Sequence, residues 1–240
     1  MKIRLFCLGL ILPLLISCAA EKPPRLPEFG PEATLSLTTG EIKTCAAVYP
    51  EGRWQFTHLI EFTLADGATN RLIGVTVLDA DAINCVLMTI EGLTLFAARF
   101  TDTLAVLRAV PPFDRPAFAA GLMDDVRAIF VRPPAKDIRY GRLLNNRVWY
   151  RITADDGQVT DVFPADADCW RINTYGPELI KTRTIIARSC KRVETSLIPE
   201  KLELTVPGPT GYTLKMNLLS AEKMNNTTMM VPQELITGDG

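Results

Sequence analysis

A single histidine stands among 240 residues. Histidine-rich metal sites and a histidine-centred catalytic site are therefore not what this chain is built for. The six cysteines include no C-x-x-C pair, which removes the usual zinc-finger and thioredoxin-like readings. A basic excess is also missing. Lys and Arg number 26 against 27 Asp and Glu, for a net charge of −1, so there is nothing to neutralise a nucleic-acid backbone. No G-x-S-x-G elbow occurs, and the acidic stretch around Asp161, Asp166 and Asp168 lacks EF-hand spacing. Neither a catalytic residue nor a metal or cofactor site is expected. No internal repeat supports a solenoid or propeller. What remains is an ordinary globular composition, 48% apolar and 22% charged, with ample material for a core.

The N-terminus sets the compartment. Lys2 and Arg4 precede an apolar run from Leu5 to Ile16, interrupted by Gly9 and Pro13. The run falls short of the roughly 20 residues a bilayer span needs and fits an export signal over residues 1–17. It ends in Leu15-Ile16-Ser17-Cys18, which resembles a bacterial lipobox. The resemblance implies that Cys18 becomes the mature N-terminus and carries acyl chains, palmitate-like, as a membrane anchor. Ala19 occupies the place where an Asp would favour inner-membrane retention in Gram-negative lipoproteins, so the expected location is the outer membrane, facing the periplasm. Residues 18–32 hold Pro23, Pro24, Pro27 and Pro31 with Gly30 and read as a semi-extended tether. The globular domain is expected over residues 33–240.

Four cysteines remain after export: Cys45, Cys85, Cys169 and Cys190. An even number in an oxidising compartment favours disulfides, with three connectivities open. Cys169 with Cys190 across a hairpin is the preferred pairing, and Cys45 with Cys85 its complement. The alternative is buried free thiols acting as small hydrophobes.

The body reads mostly as strand. Trp54, Phe56, His58, Ile60, Phe62 and Leu64 fall on alternate positions, the period of a strand with one apolar face. Similar runs follow at short intervals to Val110, as in an antiparallel meander. Pro111-Pro112 stops the series. Phe118, Leu122, Val126, Ile129 and Phe130 then recur at helical spacing, which predicts one amphipathic helix near 114–131. Asp114 is its expected N-cap, and Pro116 suits the first turn. Asp124-Asp125 reads as a solvated face. Strands resume near Arg147 and continue to Leu218. The total is about ten or eleven strands and one main helix. One helix cannot cover so long an apolar face, so the sheet must curl partly onto itself.

Three features resemble the LolA/LolB-type lipoprotein carriers. The first is the lipobox with its Pro-rich tether. The second is Leu93-Thr94-Leu95-Phe96-Ala97-Ala98-Arg99-Phe100 after Gly92, followed by the helix carrying Leu122, Asp124 and Asp125. The third is Leu197-Ile198-Pro199-Glu200-Lys201-Leu202-Glu203-Leu204, then a loop, then Tyr212-Thr213-Leu214-Lys215-Met216. The resemblance implies a mainly β fold, an unclosed and strongly curved antiparallel half-barrel with a helix as lid or plug. It also implies an apolar interior that receives acyl chains. Receptors of that group push a hydrophobic loop into the membrane. The turn Asp79-Ala80-Asp81-Ala82 is acidic and small instead, which points away from the main receptor and toward handling of another lipid or lipidated client.

The expected function is therefore non-enzymatic: an outer-membrane lipoprotein that binds a lipid, a fatty acyl group or a lipidated protein. The candidate lining is Trp54, Phe56, Ile60, Phe62, Leu95, Ala97, Leu202, Leu204, Leu214 and Met216, with Phe118, Leu122 and Val126 as the lid. The rival expectation is a structural or assembly lipoprotein with a filled interior that docks an envelope protein. Cavity volume separates the two, with about 300 Å³ as the dividing size. His58, on the apolar-face parity, is expected to be a core or cavity residue.

Overall fold

The computed structural model describes residues 47–142, 148–164 and 169–224, together with Leu26. The signal, Cys18, the tether apart from Leu26, Cys45, Asp166, Asp168 and the polar segment 225–228 lie outside the described residues. The elements in chain order are β1 (Trp54–Leu64), β2 (Thr69–Leu78), β3 (Ile83–Met88), β4 (Thr94–Phe100), β5 (Leu104–Ala109), helix α1 (Pro116–Phe130), β6 (Asp137–Arg142), β7 (Val148–Thr153), β8 (Val159–Pro164), β9 (Trp170–Tyr175), β10 (Lys181–Val193), β11 (Ser196–Val206) and β12 (Tyr212–Lys223). Among the described residues no helix is long and apolar enough to cross a membrane.

All twelve strands form one antiparallel sheet in the order β5-β4-β3-β2-β1-β12-β11-β10-β9-β8-β7-β6. The sheet is unclosed, with β5 and β6 as its edges. The chain is a meander in two halves. β1 and β12 join them at the centre, pairing Phe62 with Leu214 and Ile60 with Met216. α1 is inserted in the chain between the two edge strands.

Strict alternation builds the interior face. In β1, Trp54, Phe56, His58 and Ile60 are buried while their neighbours are half-exposed. Register carries that parity from strand to strand, since directly paired residues share a face. One such rung runs Tyr150–Val162–Ile172–Ile185–Leu204–Leu214 across six strands. Each member is buried. Gly74 faces His58 across the β1–β2 pair. A Cβ there would sit 2.5 Å from Ile60 Cδ1, so glycine makes room for that core side chain.

The strand count exceeds the sequence expectation because of β6. Its sequence, DIRYGR, offers only Ile138 and Tyr140 as apolar alternates, between charged residues. That is how an edge strand guards itself, and it hides the periodic signal. The helix has the expected bounds, but its N-cap is Arg115 rather than Asp114, and no side chain caps it. Pro116 stands at its start, where a missing N–H costs nothing. Its buried face comprises Ala119, Met123, Asp125, Val126, Ile129 and Phe130.

Cys169 and Cys190 are disulfide-bonded, with Cα atoms 5.3 Å apart across the β9–β10 pair. Cys45, the expected partner of Cys85, lies outside the described residues. Cys85 is a buried free thiol, on the β3 parity that packs into the core. Burial pushes its pKa up to about 12, so it serves as a small hydrophobe.

Candidate functional site

The concave face and the helix seated on it form the site. Trp54, Phe56, Ile60, Leu202, Leu204, Leu214, Met216 and Val126 all belong to one buried cluster. Phe62 and Leu122 are partly buried against it. Phe118 lies at its rim, half-buried, its ring meeting Phe113 edge-on at 5.4 Å. Leu95 and Ala97 are not on this face. Cys85 pairs with Ala98 and Leu87 with Phe96, so Phe96 and Ala98 point into the core. Both parities of β4 are apolar, and alternation alone could not choose between them.

His58 lies within the aromatic layer. Its ring is 6.2 Å from Phe56 and 5.9 Å from Phe130, between centroids. Burial lowers its pKa to about 4, so it is a neutral core residue at ordinary pH.

The polar feature missed by sequence reasoning is Asp125. Asp124 is exposed and meets Arg127 at 3.5 Å, as a solvated helix face should. Asp125, one position on, is 1% exposed and faces the sheet. Arg183 Nε donates to its Oδ1 at 2.5 Å, and the Tyr212 hydroxyl donates to its Oδ2. Burial raises the carboxyl's pKa; the Arg183 charge and the hydrogen bonds from Tyr212 and Arg183 oppose the rise. The three groups tie α1 to β10 and β12, strands far from it in sequence. No local signal could have announced partners so distant, although an acid on an otherwise apolar stripe is the kind of residue that must find one.

Beneath the apolar face of α1 the described residues leave only small voids. One void of about 30 Å³ lies beneath the helix, lined by His58, Cys85 and Asp125 among others. Another of about 10 Å³ lies near Trp170 and Leu202. At the β3–β4 turn, Ile90 and Leu93 are 60% and 57% exposed. This turn, rather than the acidic turn at Asp79, presents aliphatic side chains to the surroundings.

An unclosed antiparallel half-barrel with an apolar concave face and a helix plugging it is the LolA-type architecture. The chain matches a LolA superfamily protein from Nitrosomonas europaea with a TM-score of 0.52 at 11% identity, over 84% of this chain and 98% of that one. At that identity the match shows a shared fold. It also resembles a proposed outer membrane lipoprotein-sorting protein domain from Vibrio parahaemolyticus, with a TM-score of 0.46 and 9% identity over 82% and 94% of the two chains. A DUF1329 family protein from Desulfovibrio piger gives 0.47 at 10% identity over 79% and 93%. No family model matches the sequence, and no curated protein does.

Proposed function

We propose that this chain is an outer-membrane-anchored, LolB-like lipoprotein that binds an acyl chain or a lipidated client on its concave face without catalysing a reaction. Cys18 carries the anchor and α1 is a displaceable plug. The observation that carries the reading is the composition of the plug's buried face. Apolar side chains there surround an acid, Asp125, held by Arg183 and Tyr212. A helix meant only to fill a core gains more from an apolar residue at such a place, because a buried ion pair often fails to recover its desolvation cost. A polar tether that can be resolvated suits an element that leaves and returns.

Magnitudes allow the exchange. Five large apolar side chains of α1 (Leu122, Met123, Val126, Ile129, Phe130) at about 2 kcal/mol each contribute roughly 10 kcal/mol gross. About a dozen acyl methylenes at ~0.8 kcal/mol each bury a similar amount. Cargo can therefore replace helix at little net cost. Ile90 and Leu93 give the same protein a small apolar contact for the membrane surface.

A second reading is favoured by one observation. The voids described beneath α1's apolar face, about 30 and 10 Å³, are far below the ~300 Å³ of a ready-made ligand pocket. A filled half-barrel that docks an envelope protein fits that closed state. Native mass spectrometry of the lipidated protein, released in mild detergent and incubated with fatty acids and lipopeptides, separates the two. Stoichiometric acyl adducts, lost in a folded Leu204→Lys variant, are the expected outcome. A protein that stays ligand-free under all loading conditions would overturn the binding reading in favour of docking.

A further inference from the structure

The concave face changes character at one end. The apolar rung Tyr150–Val162–Ile172–Ile185 is followed on the same face by Ile152–Thr160–Thr174–Arg183. Three strands in succession thus switch from aliphatic to hydroxyl or guanidinium within one step of two residues. Thr160 and Thr174 remain buried there, at 5% and 4% exposure. Between this polar rung and the C-terminal turns of α1 lies a cleft of about 180 Å³, room for several water molecules at about 30 Å³ each.

The cleft's charges come in both signs. Arg127, Arg132 and Arg183 line it together with Asp124 and Asp156. Arg183 is committed to Asp125, and Arg127 faces Asp124 at 3.5 Å while lying over the Phe100 ring. Arg132 has no ion-pair partner among the described residues. Tyr49 also lines the cleft, and its buried hydroxyl has no hydrogen-bond partner among the described residues. Burial pushes this phenol well above its ordinary range, so it is a neutral O–H donor. An orphaned buried donor is costly, and here it sits beside an arginine with unused N–H groups.

We propose that this cleft holds the zwitterionic, phosphate-and-ammonium headgroup of a lipid whose acyl chain lies on the apolar face behind it, α1 shifting aside for the chain while its C-terminal turns still border the cleft. Arg132, Arg127 and the Tyr49 hydroxyl meet the phosphate; Asp124 and Asp156 meet the ammonium. A purely anionic headgroup would draw Arg127 away from Asp124 and leave that carboxylate and Asp156 facing its negative charge, and a bare fatty acid would leave the acids and one of the donors unused. The proposal deepens the acyl-binding reading and rests on it.

The test offers the full-length lipidated protein an equimolar mixture of phosphatidylethanolamine, phosphatidylglycerol and the matching free fatty acid. The bound species are weighed by native mass spectrometry. The readout is their ratio, not the total load. Phosphatidylethanolamine should exceed the others by about tenfold, the worth of one or two charge-assisted hydrogen bonds. Arg132→Ala and Tyr49→Phe, each folded by circular dichroism, should bring the ratio toward one, whereas the remote exposed Arg71→Ala should not. A ratio near one in the wild type, or one unmoved by both cleft variants, overturns the proposal and leaves acyl binding standing. A second arm titrates tail-free sn-glycero-3-phosphoethanolamine and follows its phosphorus resonance. A response lost in Arg132→Ala without any loaded lipid would support the cleft and overturn the acyl reading. No response together with no loaded lipid would overturn both.

Discussion

Replacing Asp125 with leucine is the sharpest test of how α1 is held. The carboxylate is 1% exposed and the Arg183 side chain 18% exposed, so the substitution strands a partly buried guanidinium and the Tyr212 hydroxyl. Breaking one side of a buried pair costs about 3–5 kcal/mol. Arg183 retains some access to water, which places the expected cost near the lower end, about 3 kcal/mol. Removing all three groups together, as Asp125→Leu with Arg183→Met and Tyr212→Phe, leaves no orphan. That variant should lie within about 1 kcal/mol of the wild type or above it. Urea unfolding with the disulfide intact, followed by tryptophan fluorescence, measures both. At a slope of about 2–3 kcal/mol per molar urea, the single variant's midpoint falls by roughly 1 M with an unchanged slope. The triple variant should also take up fatty acid more slowly, because apolar contacts replace a tether that water can loosen. A single-variant loss under about 1 kcal/mol, or a triple variant as unstable as the single one, would refute the reasoning.

Acid should destabilise the protein through His58. Its pKa of about 4 when folded, against 6.5 for the free side chain, means its contribution is full above about 6.5 and disappears as pH falls toward 4. Such a depression amounts to about 3 kcal/mol. Asp125 acts in the opposite sense, since its raised carboxyl favours the folded state at low pH and loses that contribution as pH rises. Comparing wild type with His58→Gln by thermal melts at pH 7 and 4.5 isolates the histidine: the variant should show the smaller loss. Cys190→Ser opens the link across the 21-residue separation and should cost about 3 kcal/mol in denaturant titration. Native protein treated with iodoacetamide should leave Cys85 unmodified until it unfolds, as read by peptide mass spectrometry; fast native labelling would contradict its burial. Phe96→Ala should cost about 3–5 kcal/mol and Leu95→Ala clearly less. The reverse order would show that the β4 parity is misassigned.

Much of the architecture is legible along the chain because alternation and punctuation are local. The β1 pattern needs no partner to be seen, and the prolines at 111–112, 116 and 133–134 bracket α1 on their own. The Cys169–Cys190 link is the preferred one of three connectivities that the sequence leaves open, and the structure forms it. What could not be read depends on contacts across the fold. β6 carries few apolar alternates because an edge strand needs charge. Leu95 and Phe96 are equally apolar, and only pairing with β3 decides which faces inward. Asp125 looks like its exposed neighbour until Arg183 and Tyr212 arrive from later strands.

The strand order has a kinetic consequence. The seam between β1 and β12 joins residues from opposite ends of the chain, such as Ile60 and Met216. As the chain emerges from its N-terminus, β1 through β5 form early but lack their central neighbour until the last strand arrives. Loop closure over so long a separation is slow compared with hairpin formation. Throughout that interval the first half exposes a greasy face and an unpaired β1 edge, the combination most prone to aggregate. This topology therefore makes the nascent chain a natural client for holding chaperones. The demand should scale with the delay between synthesis of Leu64 and of Tyr212, not with the stability of the finished sheet.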